Sequence, residues 1–301
     1  MGRIIRYFKD KDFRIHVNTK LGFYKNMSDG DYLRMLFKAD LGYDPDFNNP
    51  RTFCEKLQWL KLHNRKDEYT VMADKYLAKQ YVTDKVGSQY VVPLLGVWDR
   101  FDDIDFDALP DQFVLKTNHD SGTVIVCRDK SQMDKAKARH KLEKSFGTDY
   151  FAFNREWPYK NIDRKIIAEA YLEDELGKNL RDYKFFCFNG EPKIMYVIEG
   201  ISETPTEAFF DMDRSFLDLE MEDPKSVVPP ELPEGFDSMR ELAGKLSQGI
   251  PFLRVDFFSV KNRLYVGELT FFHQSGLTPI RPKEWDLRLG EWIRLPSVPI
   301  D

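Results

Sequence analysis

The chain has 301 residues, of which 45 are Lys or Arg and 50 are Asp or Glu, so its formal net charge is −5. This balance gives no general basic surface for nucleic acid. The three cysteines, Cys54, Cys127 and Cys187, lack the close spacing of a metal site. No segment reaches the roughly 20 apolar residues that span a bilayer. Because the N-terminus also lacks the apolar core of a signal peptide, we expect a cytoplasmic protein with free thiols and no stable membrane insertion.

The first part of the chain is predicted to be helical. Residues 1–50 read as polar helices that end in a Gly- and Pro-containing turn. Thr52, with Glu55 three residues later, has the pattern of a capping box and predicts that a helix begins there. A second helix, expected from about Thr70 to Lys79, would carry Lys75.

Short apolar segments predict strands in the middle of the chain. Phe113–Lys116 and Thr123–Cys127 are two of them, and the loop between them, residues 117–122, is small, polar and glycine-containing. A charged helix over residues 130–146 then separates this pair from a strand at Ile166–Leu172.

A strong hairpin signal follows. Asp182–Phe188 and residues 192–198 flank Asn189-Gly190, a pair typical of a two-residue turn. Residues 220–237 are rich in Pro and acids and are expected to form a surface loop, and residues 238–248 are expected to form a helix.

The last hairpin carries the most informative polar pattern. Apolar segments flank a turn expected at Lys261–Arg263, so Asp256 and Glu268 should lie side by side on neighbouring strands. Two adjacent carboxylates repel each other unless a cation lies between them, and Mg²⁺ suits such oxygen ligands together with substrate phosphates. Strand alternation places Arg254 on the same face, where a guanidinium can neutralise developing phosphate charge. This segment therefore predicts a nucleotide enzyme.

The order of these pieces resembles the ATP-grasp superfamily and, within it, the TupA-like (teichuronopeptide-synthesis) branch. The resemblance covers about residues 30–280 and rests on Asn49–Lys61, Ala73–Lys75, Phe113–Gly122 and Gly267–Phe271. It implies an α+β fold with the nucleotide held between two α+β subdomains, after a short helical N-terminal extension. The implied units are an N-terminal helical segment, a small subdomain with the Lys/Gly loop and a C-terminal subdomain with the metal-binding hairpin, at residues 1–70, 71–165 and 166–301.

The resemblance also implies which residues bind ATP. Lys116 and Lys184 would reach the phosphates, and the backbone of the hinge segment that begins at Glu169 would read the adenine edge. Lys75 has an equally simple interpretation as a solvated helix lysine, and the ribose-binding acid stays open among Glu173, Asp174 and Glu175. The nucleotide-binding set is Lys75, Lys116, Ser121, Gly122, Glu169, Ala170, Tyr171, Leu172 and Lys184.

The metal and the chemistry follow from the same resemblance. Asp256 and Glu268 would hold Mg²⁺, while Thr270 stands where the superfamily commonly has Asn, so its ligation, direct or through water, stays open. Lys184 and Arg254 are the candidate catalytic residues. The implied enzyme is an ADP-forming carboxylate–amine ligase that makes an amide through an acyl phosphate. Its implied substrates are a uronic acid of a cell-surface polysaccharide, or a precursor of it, and an amino acid or amine.

Three other functions remain open. A glycosyltransferase of surface polysaccharide synthesis would need a metal-binding acid pair close in sequence, and none of the Asp-x-Asp pairs has a strand-end context. A sugar kinase on the same fold would need a catalytic base, for which no residue stands out. A non-catalytic nucleotide-binding module is disfavoured by the three lysines, Arg254 and the two acids. The loop at His273–Gly276 is a candidate contact for the acceptor, and the oligomeric state is open.

Overall fold

Helices make up the N-terminal quarter of the chain and flank the strands elsewhere in the computed structural model, which describes residues 3–173, 181–199 and 204–297. No helix among these residues has the length and apolarity that crossing a membrane requires. The α-helices are α1 (Arg3–Lys9), α2 (Lys11–Lys20), α3 (Asp29–Leu41), α4 (Phe53–His63), α5 (Asp67–Ala73), α6 (Ala78–Val86), α7 (Lys135–Phe146), α8 (Tyr150–Asn154), α9 (Phe236–Leu246) and α10 (Glu284–Trp292).

The capping box at the start of α4 is confirmed. The Glu55 backbone N–H donates to Thr52 Oγ1 at 3.2 Å, and the Thr52 backbone N–H donates to a Glu55 carboxylate oxygen at 3.1 Å. Two backbone donors that the first turn of a helix leaves unpaired are thus satisfied.

The predicted helix from Thr70 to Lys79 is wrong, because α5 ends at Ala73 and α6 begins only at Ala78. Asp74 causes the break: its Oδ1 accepts hydrogen bonds from the backbone N–H groups of Tyr76 (2.8 Å) and Leu77 (3.2 Å). A short acidic side chain that bonds its own backbone competes with helix continuation in this way. Lys75 therefore lies in a fixed connection and not on a helix.

The strands form two antiparallel sheets in the described parts of the chain. The first has the order β1-β4-β2-β3 and the second the order β7-β6-β5-β8-β9. β7 has no counterpart in the sequence prediction. The strands are β1 (Leu94–Trp98), β2 (Phe113–Thr117), β3 (Val124–Cys127), β4 (Ile166–Ala170), β5 (Asp182–Phe188), β6 (Glu191–Glu199), β7 (Thr206–Asp211), β8 (Phe252–Val260) and β9 (Arg263–Thr270).

Each sheet has its own hydrophobic core. The smaller core lies between the first sheet and α7, and the larger one joins the second sheet to α4, α9 and α10. β4 pairs with β1 and β2, so residues 166–170 lie in the first sheet with strands of residues 71–165. The division of the chain at residue 165 stays a prediction. All three cysteines are buried and unpaired.

The helix α10 packs closely on the start of α4. The Cys54 backbone N–H donates to Asp286 Oδ1 at 3.0 Å, and Lys56 Nζ donates to the Gly290 carbonyl at 2.8 Å. A Cβ atom at Gly290 would lie 2.2 Å from the Arg51 carbonyl oxygen, so only glycine allows this approach. A late segment of the chain thus caps an early helix.

Candidate active site

The hairpin of β8 and β9 aligns the predicted acidic pair. Its turn is Lys261-Asn262, with φ of 50° and 58°, a two-residue turn of the left-handed type. The three-residue turn predicted over Lys261–Arg263 is therefore wrong, since Arg263 begins β9. The pairing sets Asp256 opposite Glu268, which confirms that the two carboxylates lie side by side.

Two cations enclose Asp256. The guanidinium of Arg254 donates to both carboxylate oxygens, with Nε–Oδ1 at 2.7 Å and Nη2–Oδ2 at 2.8 Å. Lys184, set opposite Asp256 by the pairing of β5 with β8, adds a bond from Nζ to Oδ2 at 2.8 Å. Burial acts to raise the pKa of Asp256, but Arg254 and Lys184 outweigh it and lower that pKa, so the buried carboxylate stays ionised.

Glu268 is the more open member of the pair. One carboxylate oxygen lies 3.5 Å from Nη2 of Arg254 and the other lies 3.5 Å from Nζ of Lys75. Lys75 also donates to the Asp120 carbonyl. The α5–α6 connection thus brings Lys75 to the acidic pair, although the sequence placed it on a helix.

The residues present fit a divalent cation that also binds phosphate. Thr270 Oγ1 is buried and has no hydrogen-bond partner among the described residues, and the oxygens of Glu268 are held only loosely. Within the described ranges no three His, Cys, Asp or Glu side chains are grouped so that they would hold a metal by themselves. An ion here would need substrate oxygens in addition to Asp256 and Glu268, as Mg²⁺ commonly does.

A second ion cluster lies on the first sheet. Glu169 on β4 accepts from Lys116 Nζ and from Lys79 Nζ, each at 2.6 Å, and its side chain is only 8% exposed. Burial raises the pKa of this carboxyl, but Lys116 and Lys79 outweigh burial and lower it. Sequence reasoning missed Lys79, which has no distinguishing neighbour in the chain and reaches Glu169 only through the packing of α6.

One cavity joins the two clusters. The residues that line it include Lys75, Lys79, Glu169 and Glu268. The two sets of charges therefore face a shared space.

An apolar pocket of about 700 Å³ lies beside the Lys116–Glu169 pair. The hinge residues Ala170, Tyr171 and Leu172 form part of its wall. Glu173 is exposed, while Asp174 and Glu175 lie outside the described residues. The other apolar wall residues are Val92, Val114, Val124, Val126 and Phe258. The shape and the apolar lining suit a flat heterocyclic base.

The loop after β2 is held by an acid. Asp120 accepts hydrogen bonds from the hydroxyls of Thr117 and Ser145, at 2.5 and 2.6 Å, and these bonds hold the loop in place. Ser121 and Gly122 are exposed at its tip, and Gly122 has a φ of +89° that favours glycine. His119 is buried beneath the loop, with Nε2 lying 3.2 Å from the Ser145 carbonyl, and does not face the cavity.

A larger polar cavity opens on the other side of Arg254 and Glu268. It measures about 990 Å³ with its mouth, and Tyr150, Asn154 and Glu156 line it together with these two residues. The predicted acceptor loop contributes Gln274 and Ser275, both with positive φ. Sequence reasoning missed Tyr150, Asn154 and Glu156, because residues 147–165 carry no periodic signal.

His273 positions Arg254. Its Nδ1 lies 3.1 Å from Nη1 of Arg254, and its ring packs against Phe186 and Tyr196. Burial and the Arg254 charge hold the pKa of His273 well below 6.5. The imidazole is therefore neutral, and its Nδ1 accepts from the guanidinium, which can only donate.

Residues 55–294 match the family described as TupA-like ATPgrasp. A comparison with curated proteins finds no match. The chain is also similar to several solved structures, all of low identity.

The D-alanine–D-alanine ligase from Bacillus anthracis is 18% identical with a TM-score of 0.42, over 67% of this chain and 57% of that one. The D-alanine–D-alanine ligase from Helicobacter pylori is 16% identical with a TM-score of 0.36, over 74% and 62%. The ATP-grasp ligase PsnB complexed with a minimal precursor is 10% identical with a TM-score of 0.40, over 68% and 54%. The chain thus spans less than two thirds of the length of each of these three proteins.

Proposed function

We propose a function from the premise that this chain belongs to the TupA-like ATP-grasp family and has the α+β ATP-grasp fold. The protein is an ATP-dependent carboxylate–amine ligase that forms an amide through an acyl phosphate. The single observation that carries the proposal is that Glu169 of the first sheet and Glu268 of the second sheet line one cavity together with Lys75 and Lys79.

Each part of the nucleotide has a matching part of the site. The adenine lies in the apolar pocket at Ala170–Leu172, and Lys116 and Lys75 receive the phosphates, with Ser121 and Gly122 at the tip of the phosphate loop. Lys184 forms an ion pair with Asp256 and adds positive charge next to the two acids. Asp256, Glu268 and Thr270 would hold Mg²⁺, which would neutralise phosphate charge when bound.

The reaction has two steps. A carboxylate oxygen of the first substrate attacks the γ-phosphorus of ATP, the bond to the β-phosphate oxygen breaks, and ADP leaves. The amine then attacks the acyl carbon, a C–N bond forms, phosphate leaves, and the nitrogen loses its extra proton. Arg254, which lines the polar cavity and is held by Asp256 and His273, stabilises the negative charge that develops on the acyl oxygen.

The substrate class follows from the family and from the cavity. We infer that the carboxylate is a uronic acid of a cell-surface polysaccharide (capsule, O-antigen or teichuronopeptide) or of its precursor, and that the amine is an amino acid or amino sugar. The lining of the polar cavity by hydroxyl, amide and carboxyl groups supports a hydroxyl-rich substrate, because each ring hydroxyl needs a partner when it is buried.

The test is a product assay with purified protein, ATP, Mg²⁺ and a panel of uronic acids crossed with amino acids and amines. We expect ADP and phosphate to form only when both substrates are present. Glu268→Ala should abolish this turnover while the circular dichroism spectrum and unfolding midpoint stay near those of the wild type.

A matched control is Glu143→Ala, which removes an exposed glutamate on α7. Normal turnover by folded Glu268→Ala removes the metal assignment. Phosphorylation of a sugar without any amine makes the protein a kinase, and the absence of ATP consumption overturns the reaction class.

A further inference from the structure

The polar cavity has an uneven distribution of charge. Arg254 is the cation among its lining residues, and it lies 3.5 Å from Glu268. The other charged lining residues are Glu156 and Asp40, both acids. A carboxylate substrate is therefore attracted to Arg254 and repelled by Glu156 and Asp40. The part of the cavity that Glu156 lines suits a positively charged group.

Glu156 is a buried acid among the residues that line this cavity. It is 6% exposed and stands at the start of a short helical turn, Trp157–Tyr159. Its Oε1 accepts from the Ser275 hydroxyl, which also accepts from Asn154 Nδ2 at 2.7 Å. No hydrogen bond reaches Oε2 among the described residues, so this oxygen of a largely buried carboxylate is accessible from the cavity that Glu156 lines and is left for a ligand.

The surroundings of Glu156 are built to hold it in place. Lys61 is fully buried and contacts the loop at His273–Gly276. Its Nζ donates to the Ser275 carbonyl at 2.7 Å and to Gln58 Oε1 at 3.0 Å. Burial raises the pKa of Glu156, and the Lys61 charge opposes that rise. A ligand cation next to Oε2 would lower this raised pKa and favour the ionised acid.

We propose that Glu156 binds the ammonium group of the amine substrate, and that the polar cavity is divided into an amine end at Glu156 and a carboxylate end at Arg254. This inference rests on the proposed ligase function. Glu156, Arg254 and Glu268 line one cavity, so both substrates can occupy it together. The bound ammonium gives one proton to Oε2 of Glu156, and the neutral nitrogen then attacks the acyl carbon. Asp40, bonded to His16 at 2.8 Å, adds negative charge at the amine end.

The division makes a prediction that depends on the charge of the nucleophile. Glycinamide enters as an ammonium ion and needs Glu156, whereas hydroxylamine is mostly uncharged at neutral pH and does not. Both are tested with ATP, Mg²⁺ and the carboxylate that gives turnover in the substrate panel. In Glu156→Gln we expect kcat/KM for glycinamide to fall about 10- to 100-fold, the range for one charged hydrogen bond. Hydroxamate formation should stay within about twofold of the wild type, since a neutral nucleophile loses no ion pair.

The variants separate this role from a purely structural one. Glu143→Gln is the matched control and should change neither rate. Glu156→Gln leaves the buried Lys61 without a nearby negative charge and can fail to fold for that reason. The double variant Lys61→Met/Glu156→Gln removes both charges, and its rates with glycinamide and hydroxylamine can then be compared in the same way.

Two results would overturn the inference alone: an unchanged kcat/KM for glycinamide, or an equal loss with both nucleophiles in a folded variant. A wild-type protein that consumes no ATP with any substrate pair overturns the ligase function and this inference together.

Discussion

At the scale of single residues, Glu169 holds two lysines that would otherwise repel each other. In Glu169→Gln the amines of Lys79 and Lys116 lose their shared counter-charge. We expect the free energy of unfolding to fall by about 2–4 kcal/mol, less than for a fully enclosed pair because the lysines keep some solvent. Urea unfolding measures it. Glu143→Gln breaks an exposed pair with Arg139 and should leave the free energy of unfolding nearly unchanged.

The same variant has a defined pH dependence. The pKa of Glu169 is lower in the folded chain than its ordinary value of 4.5, because the lysines outweigh burial. A depressed folded pKa contributes stability that is present above the unfolded pKa and is lost as the pH falls through the folded pKa. The stability difference between the wild type and Glu169→Gln should therefore be constant near neutral pH and shrink below about pH 4.5. A difference that stays constant into acid would contradict the assignment.

Thr270 tests the metal proposal from a different direction. Its Oγ1 is buried without a partner among the described residues, so Thr270→Val, which keeps the shape, should leave the free energy of unfolding unchanged or slightly higher. If Oγ1 faces the ion or its water, the variant should need several-fold more Mg²⁺ for half-maximal ADP formation. A Mg²⁺ titration at fixed ATP measures this, and an unchanged midpoint would exclude Thr270 from the metal site.

At the scale of elements, the contact of α10 with α4 depends on one glycine. Gly290→Ala places a Cβ against the backbone around Arg51, which cannot move aside as a side chain would. We expect a loss of about 1–3 kcal/mol, the usual cost of overpacking. Gly30→Ala is the matched control, because it lies in α3 with nothing within 4 Å of the new Cβ. It should stabilise the protein by up to about 1 kcal/mol through helix propensity. Chemical unfolding of both variants tests the contrast.

The elements that the sequence predicted well are those set by local interactions. The capping box at Thr52 and the Asn189-Gly190 turn need only neighbouring residues, and both appear as expected. The break between α5 and α6 was missed because Asp74 bonds backbone groups that continue an apparently helical pattern. β7 was missed because its pairing with β6 is not signalled by an alternating polar pattern.

At the scale of the whole molecule, a nucleotide with its base in the apolar pocket and its Mg²⁺ at Glu268 would bind residues of both sheets at once. We expect ATP with Mg²⁺ to raise the unfolding temperature, since at 100 times its Kd a ligand adds about 2.7 kcal/mol. Lys116→Ala should reduce this shift strongly. Lys130→Ala should leave the shift unchanged, because Lys130 donates to the carbonyls of Phe106 and Leu109 and does not line the apolar pocket or the shared cavity. Differential scanning fluorimetry compares them, and an equal shift in all three proteins would place the nucleotide elsewhere.

The sequence predicted only part of the candidate site, because some of its residues are far apart along the chain. Asp256, Glu268 and Arg254 share one hairpin, so strand alternation was enough to bring them together. Lys79 and Glu156 come from separate elements, and only tertiary packing carries them to the cavities. Their roles in binding, like those of the hairpin residues, stay predictions until the assays are made.

The cap that α10 provides for α4 also sets an order of events on the ribosome. The backbone N–H of Cys54 has its hydrogen-bond partner only in Asp286, which is translated 232 residues later. Both sheets of the described structure leave the exit tunnel before this partner does. The start of α4 is thus completed only after residue 286 has emerged, and a nascent chain that stalls before residue 284 exposes this unfinished helix start.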